Sequence, residues 1–220
     1  KRLKWADGVE SPSEGWGWYH ENVLLNEEIN PGRDGKIGCS GFAPTMSKVD
    51  DLTIQLRFPE PAPSFLDHLG TYCTGGYTLH ARYADGLYGP SHYLKTKHRD
   101  FVDDTAAYDQ MVAAAGYTSW VQYFKEQSDP LRSLDVPVMS PWKMTSPITA
   151  DTFEWERNPY YYAVDPAGNQ LPYIDRISMT LYESREVLDL RAVAGENDFQ
   201  MGPFHLDELP LYLQNAEKGN

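Results

Sequence analysis

Aromatic side chains are the most abundant groups in this sequence that could contact a ligand. The 220 residues include 15 Tyr, 6 Trp and 8 Phe. Aromatic rings offer flat contact area that loses little entropy when ordered, and Tyr and Trp add a polar group suited to sugars, peptides or other proteins. Most single rings are nevertheless expected in a core, so only position in the fold can identify a ligand contact.

Residue types that bind metals or activate nucleophiles lack the necessary spacing. His92 and His98 in HYLKTKH are six positions apart and do not share one helical face. Asp165, Asn169 and Asp175 lack the regular alternating oxygens of an EF-hand loop. No G-x-S-x-G elbow, phosphate-binding glycine loop or HExxH motif occurs. We therefore expect no metal, no cofactor and no catalytic residue.

Charge and cysteine content narrow the functional classes further. Nineteen basic and 32 acidic residues give a net charge of −13, which would repel a phosphate backbone, so we expect no nucleic-acid partner. A secreted hydrolase that uses two of the many carboxylates stays open, although no pair stands out. Cys39 and Cys73 are either joined in a disulfide or are two buried free thiols.

The first predicted helix determines the orientation of several aromatic rings. It begins with Ser13 as its cap and runs to about Glu27. One helical face carries Trp16, Tyr19, His20 and Val23 and is predicted to be core. Trp18 lies on another face and therefore points away from this apolar stripe.

Further elements follow from hydrophobic periodicity and turn residues. The segment DLTIQLRF predicts a strand with one buried face, and PSFLDHLG predicts one or two helical turns. Apolar residues at helical spacing predict two helices, over about 108–115 and 117–124, separated by Gly116. TFEWER and DRISMTLY predict strands on either side of a tight Asp165–Gly168 turn. A helix capped by Ser184, a short DFQM strand and a last helix near Asp207 complete a fold of the α/β (α+β mixed) class.

The run ERNPYYYAVDPAGNQLPYIDRI at 156–177 closely resembles a segment of the bacterial extracellular solute-binding proteins of family 5, the peptide, nickel and oligosaccharide group. Other segments resemble the same family in the same order along the chain. They are KWADG, VDDLTIQLRFPEPAPSFL, SHYLKTKH and AGENDFQ, and together they extend from Lys4 to about Gln200.

This resemblance implies a periplasmic-binding-protein type II-like architecture, in which two α/β lobes joined by a hinge close on a solute. Residues 1–134 would be the later part of an extra subdomain of the first lobe. Residues 135–205 would be a central part of the first lobe, and residues 206–220 the start of the second lobe. The chain is thus expected to be a partial first lobe with its extra subdomain.

The resemblance also implies a function and two ligand contacts. The function is capture of an oligopeptide or oligosaccharide outside the cytoplasm, as the monomeric, non-enzymatic component of an ABC importer that delivers solute to a membrane permease. Trp18 and Trp142 occupy positions where the family presents groups to the solute cleft. The alternatives from the residues alone are the hydrolase and a protein-interaction module with an aromatic face.

Overall fold

The computed structural model describes residues 3–37, 41–70, 88–199 and 206–216. Two compact units divide the chain, Lys1–Ser178 and Met179–Asn220. Helices and two small sheets occur in one chain, so the structure is mixed α/β, as predicted. The predicted assignment of 1–134, 135–205 and 206–220 to parts of two lobes stays a prediction. Cys39 and Cys73, with their possible disulfide, lie outside the described residues.

The regular elements are short. The first unit contains α1 (Ser13–Tyr19) with a following π-helical turn (His20–Leu24), β1 (Thr45–Asp50), β2 (Thr53–Arg57), α2 (Phe65–Gly70), α3 (Ser91–Leu94), two 3-10 turns (Lys95–Lys97 and Arg99–Phe101), α4 (Thr105–Ala114), α5 (Trp120–Ser128), β3 (Trp142–Met144), β4 (Thr152–Arg157) and the start of β5 (Arg176–Thr180). The second unit contains α6 (Arg185–Val193), a 3-10 turn (Leu206–Glu208) and α7 (Leu209–Gln214).

The predicted aromatic face of α1 is confirmed. Tyr19 and Val23 are fully buried, His20 is nearly so, and Trp16 packs against the same cluster. Although Trp18 lies outside this stripe, it is buried too. The main core therefore surrounds α1, and its members are Trp5, Trp18, Tyr19, Val23, Leu24, Ile29, Ile37, Tyr88, Leu94, Phe124 and Met139.

The predicted ends of this first helix were wrong. Pro12 occupies the capping position, and the hydroxyl of Ser13 donates a hydrogen bond to the backbone carbonyl of Asp50. Regular helix ends at Tyr19, and the π-helical turn ends at Leu24 rather than near Glu27. The start of α1 is thus tied to the turn between β1 and β2.

The predicted strand DLTIQLRF is confirmed as β2, which pairs with β1 in an antiparallel hairpin. Ile54 and Leu56 are half-buried, whereas Thr53, Gln55 and Arg57 are exposed, so the predicted alternation holds within β2. Leu52, which was also predicted on the buried face, precedes the strand and is 69% exposed. The Asp50 carboxylate accepts hydrogen bonds from the Leu52 amide at 2.8 Å and from Thr53 at 3.0 Å, which closes the turn. The hydrogen bond from the Leu52 backbone amide, followed by the one from the Thr53 hydroxyl, holds the pKa of Asp50 below its ordinary value.

Both predicted central helices are present, as α4 and α5. The Asp104 side chain accepts from the Ala107 amide at 2.9 Å and caps α4, which is followed by Gly116 with a φ of +86°. Ser119 caps α5 through the Gln122 amide at 3.1 Å, so α5 begins at Trp120 rather than at the predicted position 117.

The predicted strands TFEWER and DRISMTLY are confirmed as β4 and β5, in a sheet of order β3-β4-β5. β3 pairs antiparallel with β4, and Trp142 lies opposite Arg157. On β5, Ile177 is half-buried, but Met179 is 51% exposed and the following Leu181 is 67% exposed. The expected apolar face of β5 is therefore only partly covered.

The second unit is built on α6 and α7. Ser184 caps α6 as predicted, since its hydroxyl accepts from the Val187 amide at 3.4 Å. Asp189 on α6 is only 8% exposed and accepts a hydrogen bond from the Tyr212 hydroxyl on α7. No strand forms at Asp198 and Phe199, and the rest of the predicted DFQM strand lies outside the described residues. None of the described helices is long and apolar enough to cross a membrane.

Candidate functional site

Trp18 sits in an aromatic cluster rather than on an open surface. Its exposed fraction is 9%, and its ring meets the edge of Phe101 at 5.1 Å and that of His98 at 6.1 Å between ring centroids. The ammonium of Lys95 lies over the indole at 5.4 Å from a ring centroid, in a cation–π arrangement. One ring face is therefore covered by the Lys95 side chain, while the rings of Phe101 and His98 pack against the indole in T-shaped arrangements.

The indole N–H of Trp18 is a buried hydrogen-bond donor without an acceptor in the described part of the chain. A buried donor left unpaired costs about 1–3 kcal/mol, so native proteins rarely keep one without a reason. The backbone carbonyl of Trp18, in contrast, accepts from the Asn22 amide group at 2.9 Å. The unpaired donor is the feature of Trp18 that a bound acceptor group would satisfy.

Trp142 lies at the start of β3 and is half-buried. Its indole N–H donates to the backbone carbonyl of Ile174 at 3.0 Å, and its own carbonyl accepts from the Ser140 hydroxyl at 2.7 Å. The indole orientation is thus fixed by the segment that leads into β5. In the described residues, no hydrogen bond or ring contact joins Trp142 to Trp18.

Asn158 fixes the segment that leads into β3. The side chain is fully buried; its amide donates to the carbonyls of Ser140 at 3.0 Å and Val138 at 3.4 Å, and its oxygen accepts from the Tyr160 amide at 2.9 Å. The backbone N–H of Asn158 adds a bond to the Pro141 carbonyl at 2.8 Å. A single asparagine therefore holds the approach to Trp142 against the end of β4. Sequence reasoning missed this residue, although an Asn-Pro pair directly after a strand was a signal of a chain reversal.

The turn between β4 and β5 has the predicted geometry. Gly168 has a φ of +87°, and its amide donates to the carbonyl of Asp165 at 3.0 Å. The Asp165 carboxylate accepts from the Tyr173 hydroxyl at 2.6 Å and from the Asn169 side chain at 2.9 Å and backbone at 2.8 Å. Gln170 donates to the carbonyls of Pro159 and Tyr161 at 2.9 and 2.8 Å. The polar side chains of this turn therefore form hydrogen bonds within the turn itself.

These contacts account for the electrostatics of Asp165. The Tyr173 hydroxyl, followed by the Asn169 side chain and amide, lowers the pKa of Asp165 to about 2. Its carboxylate already accepts hydrogen bonds from the protein, which argues against a calcium site formed by Asp165, Asn169 and Asp175. Across the described ranges, no group of three or more His, Cys, Asp or Glu side chains could hold a metal ion.

The two histidines of HYLKTKH have separate environments. His92 approaches the Asp7 carboxylate at 2.8 Å and is partly exposed. His98 is 1% exposed, and its Nε2 lies 3.1 Å from the carbonyl of Asn22. The two histidines therefore have different hydrogen-bond partners and different exposure.

Comparison with known proteins identifies the class to which this fold and these motifs belong. The model of the bacterial extracellular solute-binding proteins, family 5 (middle), matches residues 1–219. The chain belongs to this family of solute-binding proteins, whose members are not enzymes. The resemblance stated from the 156–177 run is thereby confirmed.

The similar proteins described next are much longer than this chain. A periplasmic alpha-galactoside-binding protein of Rhizobium meliloti (strain 1021) is 29% identical over 198 residues, which are 89% of this chain and 24% of that protein. The oligopeptide-binding protein OppA superposes with a TM-score of 0.81 at 28% identity, over 99% of this chain and 32% of OppA. The periplasmic binding protein MelB of Agrobacterium fabrum C58, solved with stachyose, gives a TM-score of 0.65 at 24% identity, over 99% of this chain and 28% of MelB. The chain thus spans about a quarter to a third of the length of these relatives.

Proposed function

We propose that this chain is part of the solute-binding component of a bacterial ABC importer, which captures an oligosaccharide outside the cytoplasm and delivers it to a membrane permease. Membership of family 5 carries the binding role. The 29% identity to a periplasmic alpha-galactoside-binding protein and the abundance of Trp and Tyr favour a sugar. Aromatic rings stack on the apolar faces of sugars, and this composition supplies them.

Trp18 and Trp142 are the proposed ligand contacts. The unpaired indole N–H of Trp18 carries this proposal, because a sugar hydroxyl or ring oxygen would satisfy that buried donor once the side chains that cover it move aside. Lys95 would have to move from the indole face for a sugar to stack there. Trp142 uses its indole N–H internally, so it would contribute ring surface and not a hydrogen bond.

An oligopeptide is the second candidate solute. It is favoured by the superposition on the oligopeptide-binding protein OppA, at 28% identity and a TM-score of 0.81. A peptide backbone carbonyl would satisfy the Trp18 donor equally well. The two solutes therefore predict the same tryptophan contacts and must be separated by binding measurements.

The carboxyl groups offer no support for the hydrolase alternative. A general acid of a glycosidase needs a raised pKa. Asp50, Asp109, Asp165 and Glu186 instead have pKa values that are shifted downward by hydrogen bonds to their ionised forms. The interaction-module alternative has one supporting observation, the exposed Tyr162, Tyr173 and Ile174 on the β4–β5 hairpin.

The decisive experiment is a solute screen on the full-length parent protein. A ligand that binds only the native state raises the melting temperature, so we expect stabilisation by stachyose or another alpha-galactoside and none by peptides. Stabilisation by peptides alone would instead support the second candidate. In the parent, Trp18→Ala should weaken solute binding by about tenfold or more, the effect of losing one well-packed aromatic contact. Unchanged affinity in both Trp18→Ala and Trp142→Ala would refute the assignment of the contacts.

A further inference from the structure

His98 is a buried titratable group whose two ring nitrogens are both engaged. Nδ1 accepts a hydrogen bond from the backbone N–H of Asp100 at 3.2 Å, so this nitrogen carries no proton. Nε2 must then carry the proton, and it donates to the carbonyl of Asn22 at 3.1 Å. These two bonds specify one neutral tautomer of an imidazole that is 1% exposed.

The same ring is surrounded by aromatic side chains from three elements. It lies 4.9 Å from Trp120 and 5.3 Å from Phe124 on α5, and 5.2 Å from Phe101, between ring centroids. It also forms a T-shaped contact with Trp18 on α1, at 6.1 Å between ring centroids. His98 therefore connects α5 and the Arg99–Phe101 turn with the proposed ligand contact.

Protonation of His98 would act on that turn. The imidazole is the cap of the Arg99–Phe101 turn through its bond from the Asp100 amide. A proton on Nδ1 converts this acceptor into a donor, which faces the Asp100 N–H and cannot bond to it. The turn would lose its cap, and it carries Phe101, whose ring packs on Trp18 at 5.1 Å.

We propose that His98 is a pH-sensitive positioning residue for Trp18, so that acid conditions loosen the Trp18 contact and promote release of solute. This rests on the proposed function for its consequence, but its structural part concerns only His98, Phe101 and Trp18. Binding is strongest while His98 is neutral and weakens as pH falls.

The charged surroundings of His98 decide where the transition falls. Burial is the larger effect and lowers the pKa of His98 below its ordinary value of 6.5. The carboxylates of Asp100 and Glu28 oppose this shift. Two cations are close in sequence to His98. The Lys95 ammonium lies over the Trp18 ring, and the Arg99 guanidinium donates to both carboxylate oxygens of Asp109, at 2.7 and 2.8 Å. From α1 and α5 the ring meets the Asn22 carbonyl and uncharged aromatic rings.

The structural part is tested on the 220-residue chain by NMR, from about pH 4 to about pH 8, the range in which a buried imidazole titrates. The indole resonance of Trp18, assigned by its loss in Trp18→Phe, should shift with the same midpoint as the His98 ring. The partly exposed His92 gives the matched control, because His92→Asn should leave this shift unchanged. In His98→Asn, or in His98→Gln should the first fail to fold, the shift should disappear.

Three results would overturn the proposal: a Trp18 resonance that does not follow His98, a shift that persists in the His98 variants, or all six Trp resonances moving together, which would mean global acid unfolding.

The functional part is tested on the full-length parent with stachyose as the probe. Affinity should fall with pH by up to about tenfold per pH unit, the limit for one linked proton, and His98→Asn should remove this dependence. A pH dependence that is the same in His98→Asn and the unaltered parent would refute the role of His98 while leaving the proposed function intact. An absence of stachyose binding at every pH would instead count against the proposed sugar, and the NMR result would still decide the positioning role.

Discussion

Asn158 shows how one polar residue can organise the neighbourhood of a candidate ligand contact. The side chain is fully buried, yet both of its polar atoms are hydrogen-bonded, to Val138, Ser140 and Tyr160. A buried amide with satisfied partners costs little, whereas its removal takes hydrogen-bond partners away from the Ser140 carbonyl and the Tyr160 amide; the Val138 carbonyl keeps its bond from the Ala6 amide. Asn158 therefore helps to fix the position of the strand that carries Trp142.

We expect Asn158→Ala to lower the free energy of unfolding by about 3 kcal/mol, because buried backbone groups lose their hydrogen-bond partners. Urea denaturation of the 220-residue chain would measure this as a lower midpoint at unchanged m-value. Asn169→Ala is the matched control, since Asn169 is exposed and bonds the Asp165 carboxylate, and it should cost less than about 1 kcal/mol. Equal effects of the two substitutions would contradict the proposed role of Asn158.

Tyr173 has a separate effect on the ionisation of Asp165. Its hydroxyl is the first cause of the lowered Asp165 pKa, so Tyr173→Phe should raise that pKa from about 2 toward the ordinary value of 3.8. A depressed native pKa contributes stability above the unfolded-state value, and this contribution is lost as pH falls from about 4 to about 2. Carboxyl carbon NMR of Asp165 measures the shift, and an unchanged titration in Tyr173→Phe would show that the remaining donors, Asn169 and the Ala167 amide, set it without Tyr173.

The sequence predicted some of these residues and missed others, for physical reasons. The Asp165–Gly168 turn was predictable because proline and glycine have strong local conformational preferences. The two carbonyl groups that the Asn158 side chain binds are 18 and 20 positions away in sequence, so local patterns contained no information about them. The burial of Trp18 likewise depends on Phe101 and His98, which the chain brings to α1 from far away in sequence.

At the scale of elements, local signals determined where helices and strands lie better than where they end. Caps at Asp104, Ser119 and Ser184 set the starts of α4, α5 and α6, as such side chains do in general. The first helix differs because its Ser13 hydroxyl bonds the β1–β2 turn and not the helix itself. A tertiary contact thus replaced the local cap that the sequence indicated.

Two glycines separate the effect of backbone conformation from that of packing. A Cβ added at Gly17 in α1 or at Gly168 in the hairpin turn would meet no atom within 4 Å. Of these two glycines, only Gly168 has a positive φ, which is +87°. We expect Gly17→Ala to stabilise the chain by about 0.5–1 kcal/mol, and Gly168→Ala to destabilise it by about 1 kcal/mol or more.

Thermal and urea unfolding of the two variants would measure these opposite signs. Gly89→Ala serves as a packing control, because its Cβ would lie 2.8 Å from ring carbon Cε2 of the buried Tyr19 and 2.8 Å from Cδ1 of the buried Leu94. It should lose stability because these neighbours must shift, whereas the backbone of Gly89 does not have a positive φ. Stabilisation by Gly168→Ala would contradict the strained turn.

At the scale of the whole molecule, the distribution of buried apolar groups is uneven. Every described side chain of the buried core belongs to Lys1–Ser178. In Met179–Asn220, Leu181, Leu190 and Leu213 are 67%, 63% and 67% exposed. This chain also spans only 24% of the alpha-galactoside-binding relative and 32% of OppA. Both observations fit a chain that provides one part of a larger binding protein.

A solute held between two lobes gains its affinity from contacts with both, because closure is favoured only by interactions made in the closed state. We therefore expect the 220-residue chain alone to bind stachyose at least about a hundredfold more weakly than the full-length parent, since many contacts would be absent. Isothermal titration calorimetry of both proteins measures the difference. Near-ultraviolet circular dichroism must first show that the isolated chain is folded, and the parent with Trp18→Ala separates loss of one contact from loss of a lobe. A micromolar affinity of the isolated chain, equal to that of the parent, would mean that the residues around Trp18 and Trp142 form a complete site by themselves.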